Sequence, residues 1–482
     1  MMSNQTFDLE AENQLIGPSF FEQDWQSSLM SDEEQNIDRD RALELETSPI
    51  GSTIALSLDD SDTISPLYLT SLAMERDDSE TFEHNESDTY VDETDTDIST
   101  EESDIPLTNT ITAGDEGGTQ FTFNFAEDTP TEAIDGITQA AENWRSVLTD
   151  DVNVNIDFTF NPAEEGNLGG AIPNQIPISY ESLSQALAED VSSQDDQTAV
   201  AHLPEENIDI LINNTRENNG GDTPYLDNNG GLNNSFVVLN TANARALGID
   251  IEDIAESLGI TPEEAVSQLG INAISDNFLF DPNLPDGAIN MNSDVIWDFS
   301  PCDGISADAV DFVGIMSHEI GHVLGFTTNA EQLDLIADPN FDLFDVLGAN
   351  DSEEINGLIT ENGLGDLLDV VDVDGFISEN EYLLQVFDLF RYSPESFEQG
   401  AVDYTAGNID DKYFSIDGGN TVVATLSTGT ETGDGRQLSH WEDDLISGTQ
   451  IGIMDPSGDL GDLIEISDTD LLAFDVIGWD IA

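Results

Sequence analysis

The sequence predicts an α+β fold, in which a mixed, twisted sheet packs with long helices and follows a disordered acidic region. Two stretches, residues 121–125 and 152–160, alternate apolar and polar residues as β-strands do. The segment between them, residues 129–148, repeats its apolar residues at helical spacing, and residues 307–326 do the same. This strand, helix, strand opening with a further long helix downstream is the basis of the predicted architecture.

The first predicted helix has a start signal and one apolar face. Pro130 suits its first turn, where a missing backbone N–H is tolerated. The face comprises Ile134, Ile137, Ala141, Trp144 and Leu148. Further strands are predicted at residues 207–213, 235–240, 413–416 and 422–426, an edge strand able to pair with a bound peptide at 286–299, and helices at 182–188, 381–392 and about 470–477.

Composition and pattern divide the chain into three parts. Residues 1–110 are rich in Asp, Glu, Ser and Thr and bury too little apolar surface to offset ordering entropy, so we expect a disordered tail or propeptide. Residues 111–326 are predicted to form an upper subdomain that ends in the helix at 307–326 and carries an insertion at about 215–285. Residues 327–482 are predicted to form a lower, irregular subdomain with an acidic insertion.

The chain is strongly acidic, with 9 Lys plus Arg against 102 Asp plus Glu and a formal net charge of −93. Such a chain repels nucleic acid and anionic membranes, so neither is an expected partner. Its carboxylates are the hard oxygen ligands that calcium prefers. The acidity fits a surface adapted to salt, an exported chain that folds on meeting external calcium, or simply a solvated surface, and composition leaves these open.

The helix at residues 307–326 contains the motif HEIGH at residues 318–322. His318 and His322 are four residues apart on one helical face, so both imidazoles can reach one zinc ion. Glu319 stands beside them and can take a proton from a zinc-bound water, whose pKa the metal lowers towards ~7. The spacing therefore predicts two zinc ligands and one general base.

Two further features accompany this motif. Gly325 permits a turn after it, and residues 452–456 read GIMDP, which predicts a tight turn containing Met454. With HEIGH, these residues resemble the metzincin zinc peptidases, in which a methionine turn lies beneath the metal, and most of all their leishmanolysin-like branch. A broader resemblance, covering roughly residues 119–480, is to bacterial metalloproteases with HEIGHxLGF, LFRYS, SHW, GIMDP and DxxAxDxIGWD segments. The resemblance implies a metzincin-like catalytic domain with an active-site helix and an irregular C-terminal subdomain.

A catalytic zinc needs a third protein ligand. The compact metzincin pattern places a histidine where this chain has Thr328. In the leishmanolysin-like branch the third histidine follows a large insertion, which implies His440 of the SHW segment. His84 lies in the acidic tail and His202 precedes a predicted strand. A carboxylate is the alternative ligand, from Glu331, Asp334, Glu353 or Glu354.

One acidic segment is similar to an EF-hand loop. Asp372, Asp374, Gly375, Ile377 and Glu381 match loop positions 3, 5, 6, 8 and 12, whereas position 1 is a valine. Asp372, Asp374 and Glu381 are therefore candidate ligands for a structural calcium ion. The alternative is an acidic turn that leads into the next helix.

These features predict a zinc-dependent endopeptidase that hydrolyses peptide bonds of protein substrates. Zinc is expected on His318, His322 and His440, with Glu319 as general base and Met454 in the turn beneath the metal. The alternative is a non-catalytic, acidic, calcium-binding extracellular or surface protein on a degenerate peptidase scaffold.

The expected location is outside the cell. The sequence has no N-terminal signal peptide and no apolar run long enough to cross a membrane. Its one cysteine, Cys302, excludes disulfides within the chain. Acidic, cysteine-poor peptidases of this kind resemble the cargo of bacterial exporters that read a C-terminal address, so we expect a secreted monomer.

Overall fold

The structure is a computed structural model that describes residues 42–44, 54–58, 64–68, 107–114, 117–163, 167–262, 285–337, 379, 382–407 and 411–482. The strands in these ranges are β1 (Ala42–Glu44), β2 (Ile54–Leu58), β3 (Ile64–Tyr68), β4 (Leu107–Ala113), β5 (Gln120–Ala126), β6 (Asn153–Asn161), β7 (Gly169–Pro173), β8 (Gln175–Ser179), β9 (Ile210–Ile212), β10 (Tyr225–Asp227), β11 (Phe236–Asn240), β12 (Gly287–Asn292), β13 (Trp297–Asp298), β14 (Val310–Asp311), β15 (Leu384–Gln385), β16 (Arg391–Tyr392), β17 (Val402–Asp403), β18 (Lys412–Phe414), β19 (Ala424–Leu426) and β20 (Ser457–Asp459). The α-helices are α1 (Thr131–Arg145), α2 (Tyr180–Asp190), α3 (Gln194–Val200), α4 (Leu232–Ser235), α5 (Thr241–Ala246), α6 (Ile251–Leu258), α7 (Phe312–Leu324), α8 (Glu331–Ala337), α9 (Pro394–Gln399), α10 (Asp444–Ser447) and α11 (Asp468–Val476). Short 3-10 helices lie at Arg216–Asn218, Pro301–Asp303 and Val386–Phe390.

The main sheet has five strands in the order β4-β5-β6-β12-β7. The two inner pairs, β5–β6 and β6–β12, are parallel, whereas β4–β5 and β12–β7 are antiparallel. Phe121, Phe123 and Phe125 of β5 are buried and alternate with partly exposed residues, as the sequence pattern predicts. The predicted α+β fold with a mixed sheet is therefore confirmed.

The strand predicted at residues 286–299 is present as β12, but its predicted edge position in the sheet is wrong. Within that range β12 is flanked on both sides, since Ile289 lies opposite Phe158 of β6 and Ala171 of β7. The edge of the sheet on this side is β7, whose sequence is GGAIP. Its two glycines leave too few apolar side chains for an alternating pattern, so the strand had no sequence signal.

Helices α1 and α7 pack against each other beside this sheet. The indole N–H of Trp144 donates to the Ser317 carbonyl at 2.7 Å and joins the two helices. A Cβ at Gly136 would lie 2.5 Å from the Phe312 ring, so only glycine allows this close approach. Of the apolar face predicted for the first helix, Ile137, Ala141 and Trp144 are buried, whereas Ile134 is partly buried and Leu148 is buried beyond the end of α1.

The predicted helix at residues 381–392 is also wrong. Its described residues form β15, the 3-10 helix Val386–Phe390 and β16 in succession. Residues 382–392 are all buried, including the polar residues Gln385, Asp388 and Arg391, whose spacing of three resembles the polar face of a helix. β15 joins β11 and β8 in a second sheet, and β16 joins β18 and β19 in a third.

The end of the chain packs beside the end of α7. The indole N–H of Trp479 donates to the Leu324 carbonyl at 2.8 Å. The Asn243 amide donates to the Ile477 carbonyl at 2.8 Å, and Leu148 forms an isolated antiparallel bridge with Ile481. These contacts satisfy backbone groups at the end of the helix and bring the C-terminus onto the first helix–sheet unit.

Most of the predicted acidic tail, residues 1–110, lies outside the described ranges. Inside it, β1 pairs with β20, β2 pairs with β3, and β4 begins at Leu107 and joins the main sheet. Within the part of the chain that the structure describes, no helix is long and apolar enough to span a membrane.

Candidate metal centre

Helix α7 carries the HEIGH motif in a fully buried environment. All of its residues, Phe312–Leu324, are buried, and Gly325 ends it with a φ of 126°, a backbone conformation that other residues rarely adopt. The Asn240 amide donates to the His322 carbonyl at 2.8 Å, which ties the end of the helix to β11. The two histidines therefore project from a rigid element.

Three histidines meet at one point. The Nε2 atom of His318 lies 3.0 Å from Nε2 of His322 and 3.2 Å from Nε2 of His440. All three residues are at most 1% exposed, and together they form a group able to hold a metal ion. His440 comes from the loop after β19, so the structure joins the helical pair to a ligand far along the chain.

The opposite ring nitrogens identify the tautomer. Nδ1 of His318 lies 2.6 Å from the Ile453 carbonyl, and Nδ1 of His322 lies 2.8 Å from the Phe326 carbonyl. Nδ1 of His440 lies 3.2 Å from the Gln437 carbonyl. A carbonyl only accepts, so each Nδ1 carries the proton and each Nε2 presents a lone pair. The lone pair of His318 thus faces those of His322 and His440 at 3.0 and 3.2 Å, and such lone pairs repel unless a cation lies among them.

The electrostatic environment keeps these rings neutral. Burial lowers the pKa of His318 to about 4. Burial, followed by the neighbouring histidines, holds the pKa values of His322 and His440 well below the ordinary value. Neutral imidazole is the form that ligates metals, so no proton has to be displaced at neutral pH.

The donor set and spacing fit zinc. Two nitrogens bound to tetrahedral zinc at 2.0–2.1 Å lie roughly 3.3 Å apart, close to the observed separations of 3.0 and 3.2 Å. Three histidines leave one tetrahedral position for a non-protein ligand, as in catalytic zinc sites. The three backbone carbonyls on the Nδ1 atoms orient the rings in the usual manner of metal-bound histidines.

Glu319 is a buried carboxyl group without a hydrogen-bond donor. It is 0% exposed, and neither Oε1 nor Oε2 has a hydrogen-bond partner. Burial raises its pKa well above the ordinary value. A Cβ at Gly169 would lie 3.1 Å from Oε1, so the carboxyl group faces the backbone of the edge strand β7. Such an unsatisfied acid is costly in a core and is typical of a functional group.

The segment that carries His440 is held by a glutamate on α8. The Glu331 carboxylate accepts hydrogen bonds from the Ser439 backbone N–H at 3.0 Å and from the Ser439 hydroxyl. On the other side of His440, the Trp441 N–H donates to the Met454 carbonyl at 2.9 Å. Both residues next to the third histidine are therefore fixed, which limits the positions its ring can take.

The predicted methionine turn lies against α7, the helix that carries His318 and His322. A Cβ at Gly321, between the two histidines, would come within 2.5 Å of the Met454 sulfur. Asp470 of α11 accepts from the Ile453 N–H at 2.7 Å and from the Trp441 indole at 2.8 Å. Asp470 thus links the methionine turn to the segment that carries His440.

The other candidate metal ligands that the structure describes do not belong to the three-histidine group. His202 is exposed and bonds the Thr198 carbonyl through Nδ1 at 2.7 Å. The carboxylate alternatives Glu331 and Asp334 serve the Ser439 backbone and the loop at residues 431–432. His84, Glu353, Glu354 and the predicted calcium ligands Asp372, Asp374 and Glu381 lie outside the described residues.

Sequence reasoning missed the residues that support the ligands. Glu331 was considered only as a ligand, and Asp470 had no role. The sequence does mark Asp470 as the third helical residue after Ser467, and the two form a capping box at the start of α11. Its further bond to the Ile453 N–H, 17 positions away in sequence, has no local pattern.

Comparisons with protein-family models, with curated proteins and with solved structures return no match for this chain. Its chemistry is therefore inferred from its own residues.

Proposed function

We propose that the protein is a zinc-dependent endopeptidase of the metzincin type, close to the leishmanolysin-like branch. The observation that carries the proposal is the convergence of three proton-free Nε2 atoms, from His318, His322 and His440. This donor set matches the three-histidine catalytic zinc site, and the Met454 turn beside it agrees with the metzincin resemblance.

In the proposed hydrolysis, the metal ion, Glu319 and the three histidines would each have a separate role. Bound zinc supplies a Lewis acid that polarises a carbonyl oxygen and lowers the pKa of water. Glu319 accepts a proton from the attacking water and returns it to the leaving amine. Its buried, unpartnered carboxyl group suits both steps, because burial brings the pKa of a carboxyl group closer to neutral pH. The three Nδ1–carbonyl bonds keep the histidine rings in place throughout.

The edge strand β7 supports a peptide as the substrate. β7 is the last strand of its sheet on this side, and its Gly169 lies against the Glu319 carboxyl group. An extended peptide added to this edge would form backbone hydrogen bonds and bring one peptide bond towards Glu319. Extended main chain, rather than one side chain, is then the principal recognition element.

A chelation and substitution experiment tests the proposed function. The purified chain is expected to cleave a generic unfolded protein, to lose this activity with a zinc chelator and to regain it with added zinc. Glu319→Gln should retain zinc and lose activity by roughly 10²–10⁴-fold, the usual contribution of a general base. Glu132→Gln, at an exposed position of α1, is the matched control and should keep full activity.

Two outcomes would refute the proposal. One is undiminished cleavage by Glu319→Gln. The other is a purified chain that lacks both zinc at one ion per molecule and activity after zinc is supplied. The second result would favour the alternative function, a non-catalytic acidic protein that binds calcium on a peptidase scaffold.

A further inference from the structure

A second cluster of possible metal ligands consists of acidic side chains that follow His440 and Met454 in the sequence. One carboxylate oxygen from each of Asp443, Asp444 and Asp455 lies within 4.8 Å of the corresponding oxygens of the other two. Asp443 and Asp455 are each 1% exposed, and Asp444 is partly exposed. The cluster therefore lies at the boundary between the core and solvent, with two of its three charges inside.

Protein donors satisfy this cluster incompletely. Asp443 accepts from the Arg436 guanidinium and from the Leu445 N–H. Oδ1 of Asp455 accepts from the Ser457 backbone N–H at 3.2 Å and the Ser457 hydroxyl at 3.3 Å, whereas Oδ2 is buried without a hydrogen-bond partner. The Arg436 guanidinium thus pairs with Asp443, whereas the buried Oδ2 of Asp455 has no hydrogen-bond partner.

Full ionisation of these three carboxyl groups is unfavourable without a further cation. Burial, reinforced by the charges of Asp443 and Asp444, raises the pKa of Asp455 to about 8. Buried carboxylates this close are stable when they share a proton, a salt bridge or a metal ion.

We propose that Asp443, Asp444 and Asp455 bind a calcium ion. All of the donors are carboxylate oxygens, which calcium prefers over the nitrogen and sulfur ligands of transition metals. The oxygens lie within 4.8 Å of one another, and two oxygens on opposite sides of one calcium ion are roughly 4.6–5.2 Å apart. Backbone oxygens and water would complete the six to eight ligands that calcium takes.

The position of this site gives the ion a structural role. Asp443 and Asp444 follow closely after His440, and Asp455 is the residue after Met454. An ion held by both segments would cross-link the third histidine to the methionine turn, beside the existing Trp441–Met454 hydrogen bond. Calcium is therefore expected to slow the loss of zinc from the three histidines. Calcium binding itself does not depend on the proposed peptidase function.

Thermal unfolding of the metal-free full chain tests the proposal. The protein carries Glu319→Gln in every sample to prevent self-cleavage, and calcium is compared with sodium at equal ionic strength because the acidic surface binds cations non-specifically. The melting temperature should rise with calcium. Asp455→Asn should weaken calcium roughly tenfold or more, since it removes one charged ligand but keeps an oxygen for Ser457.

The variants separate this site from the rest of the acidic chain. Asp308→Asn, at an exposed position, should respond to calcium as the parent does. Without calcium, Asp455→Asn should be at least as stable as the parent, because it removes repulsion. If that variant does not fold, Asp444→Asn at the partly exposed position decides by the same criterion. Equal responses to calcium in the parent, Asp308→Asn and Asp455→Asn, or no response in any of them, would overturn the proposal.

Discussion

The sulfur of Met454 lies directly against the backbone of Gly321, the residue immediately before His322. A Cβ built on Gly321 would be 2.5 Å from that sulfur and 3.3 Å from the methionine methyl group. Both residues are fully buried, so there is little space for relief. The HEIGH motif therefore needs glycine at position 321 because the Met454 side chain packs against it. The methionine turn, far along the chain, thus constrains which residue the helix can carry there.

We expect Gly321→Ala to destabilise the protein by about 1–3 kcal/mol, because overpacking of the methionine outweighs the gain in helix propensity. In a Met454→Ala background the same change should be neutral or stabilising, since the obstructing sulfur is gone. Denaturant unfolding of the four proteins measures this coupling. An equal loss in both backgrounds would show that the contact is not the cause.

The third ligand can be tested by zinc content. His440→Ala should reduce zinc from one ion per chain to well below one under mild dialysis, because two histidines alone rarely hold a catalytic zinc. His202→Ala is the matched control, since this histidine is exposed and its Nδ1 bonds the Thr198 carbonyl, away from the three-histidine group. Metal analysis of both variants, with the parent, gives the answer. Full retention of zinc by His440→Ala would require a different third ligand.

Glu331 is predicted to position His440 through Ser439. Removal of both hydrogen bonds in Glu331→Ala should weaken zinc binding by about 10–100-fold, the usual cost of losing an outer-shell partner. Glu331→Gln keeps one carbonyl acceptor and should recover most of that loss. Competition with a zinc chelator measures the affinities, and melting temperatures monitor the fold. If the alanine and glutamine variants lose zinc equally, the negative charge rather than the hydrogen bonding matters.

The sequence predicted the fold where local pattern and tertiary environment agree. α1, β5 and β6 were found because each has one buried face with the matching period. β7 and the 382–392 segment were not, because the first is glycine-rich and the second is buried on all sides. Periodicity mainly reports one-sided burial, so it is a weaker guide to elements without an exposed face, although it did predict the fully buried α7.

The residues of the candidate site likewise include some that the sequence predicts and others that it does not. HEIGH was recognisable because helical geometry alone brings His318 and His322 together. His440 was proposed on the resemblance, and the structure brings it to 3.2 Å from His318. The bonds of Glu331 to Ser439 and of Asp470 to the methionine turn depend on loop paths that no local rule determines.

The only lysine in the chain, Lys412, forms a buried ion pair. Its Nζ lies 3.3 Å from Oδ2 of Asp403, and the two side chains are 1% and 0% exposed. Burial opposes the charge of Asp403, but Lys412 and Arg391 outweigh it and hold its pKa below the ordinary value. Lys412→Met should destabilise by about 3 kcal/mol or more, because a buried carboxylate loses its partner.

Denaturant unfolding measures this loss, and the double variant Lys412→Met/Asp403→Leu serves as its control. Replacement of both charges by apolar residues should restore much of the stability. A double variant as unstable as the single one would instead assign the loss to packing of the lysine stem.

A group of carboxyls near the C-terminus predicts a pH dependence of stability. Burial first, and neighbouring carboxylates next, raise the pKa of Asp190 to about 7 and that of Asp475 to about 6. Burial likewise raises the pKa of Asp150 to about 6, against a hydrogen bond from the Asp480 backbone N–H. In the unfolded chain these groups titrate near ~3.9. The folded state therefore binds their protons more tightly than the unfolded state.

The sign of the effect follows from that difference. Stability from these groups is fully present below pH ~4 and is lost as the pH rises through 6 and 7, where the folded protein must ionise them. We expect the denaturation midpoint to fall between pH 5 and pH 8, and Asp190→Asn to flatten this fall by gaining stability at pH 8 but little at pH 5. Asp308→Asn, an exposed control, removes the same charge and should leave the slope nearly unchanged. Parallel curves for the parent and both variants would contradict the assignment of this pH dependence to the buried carboxyls.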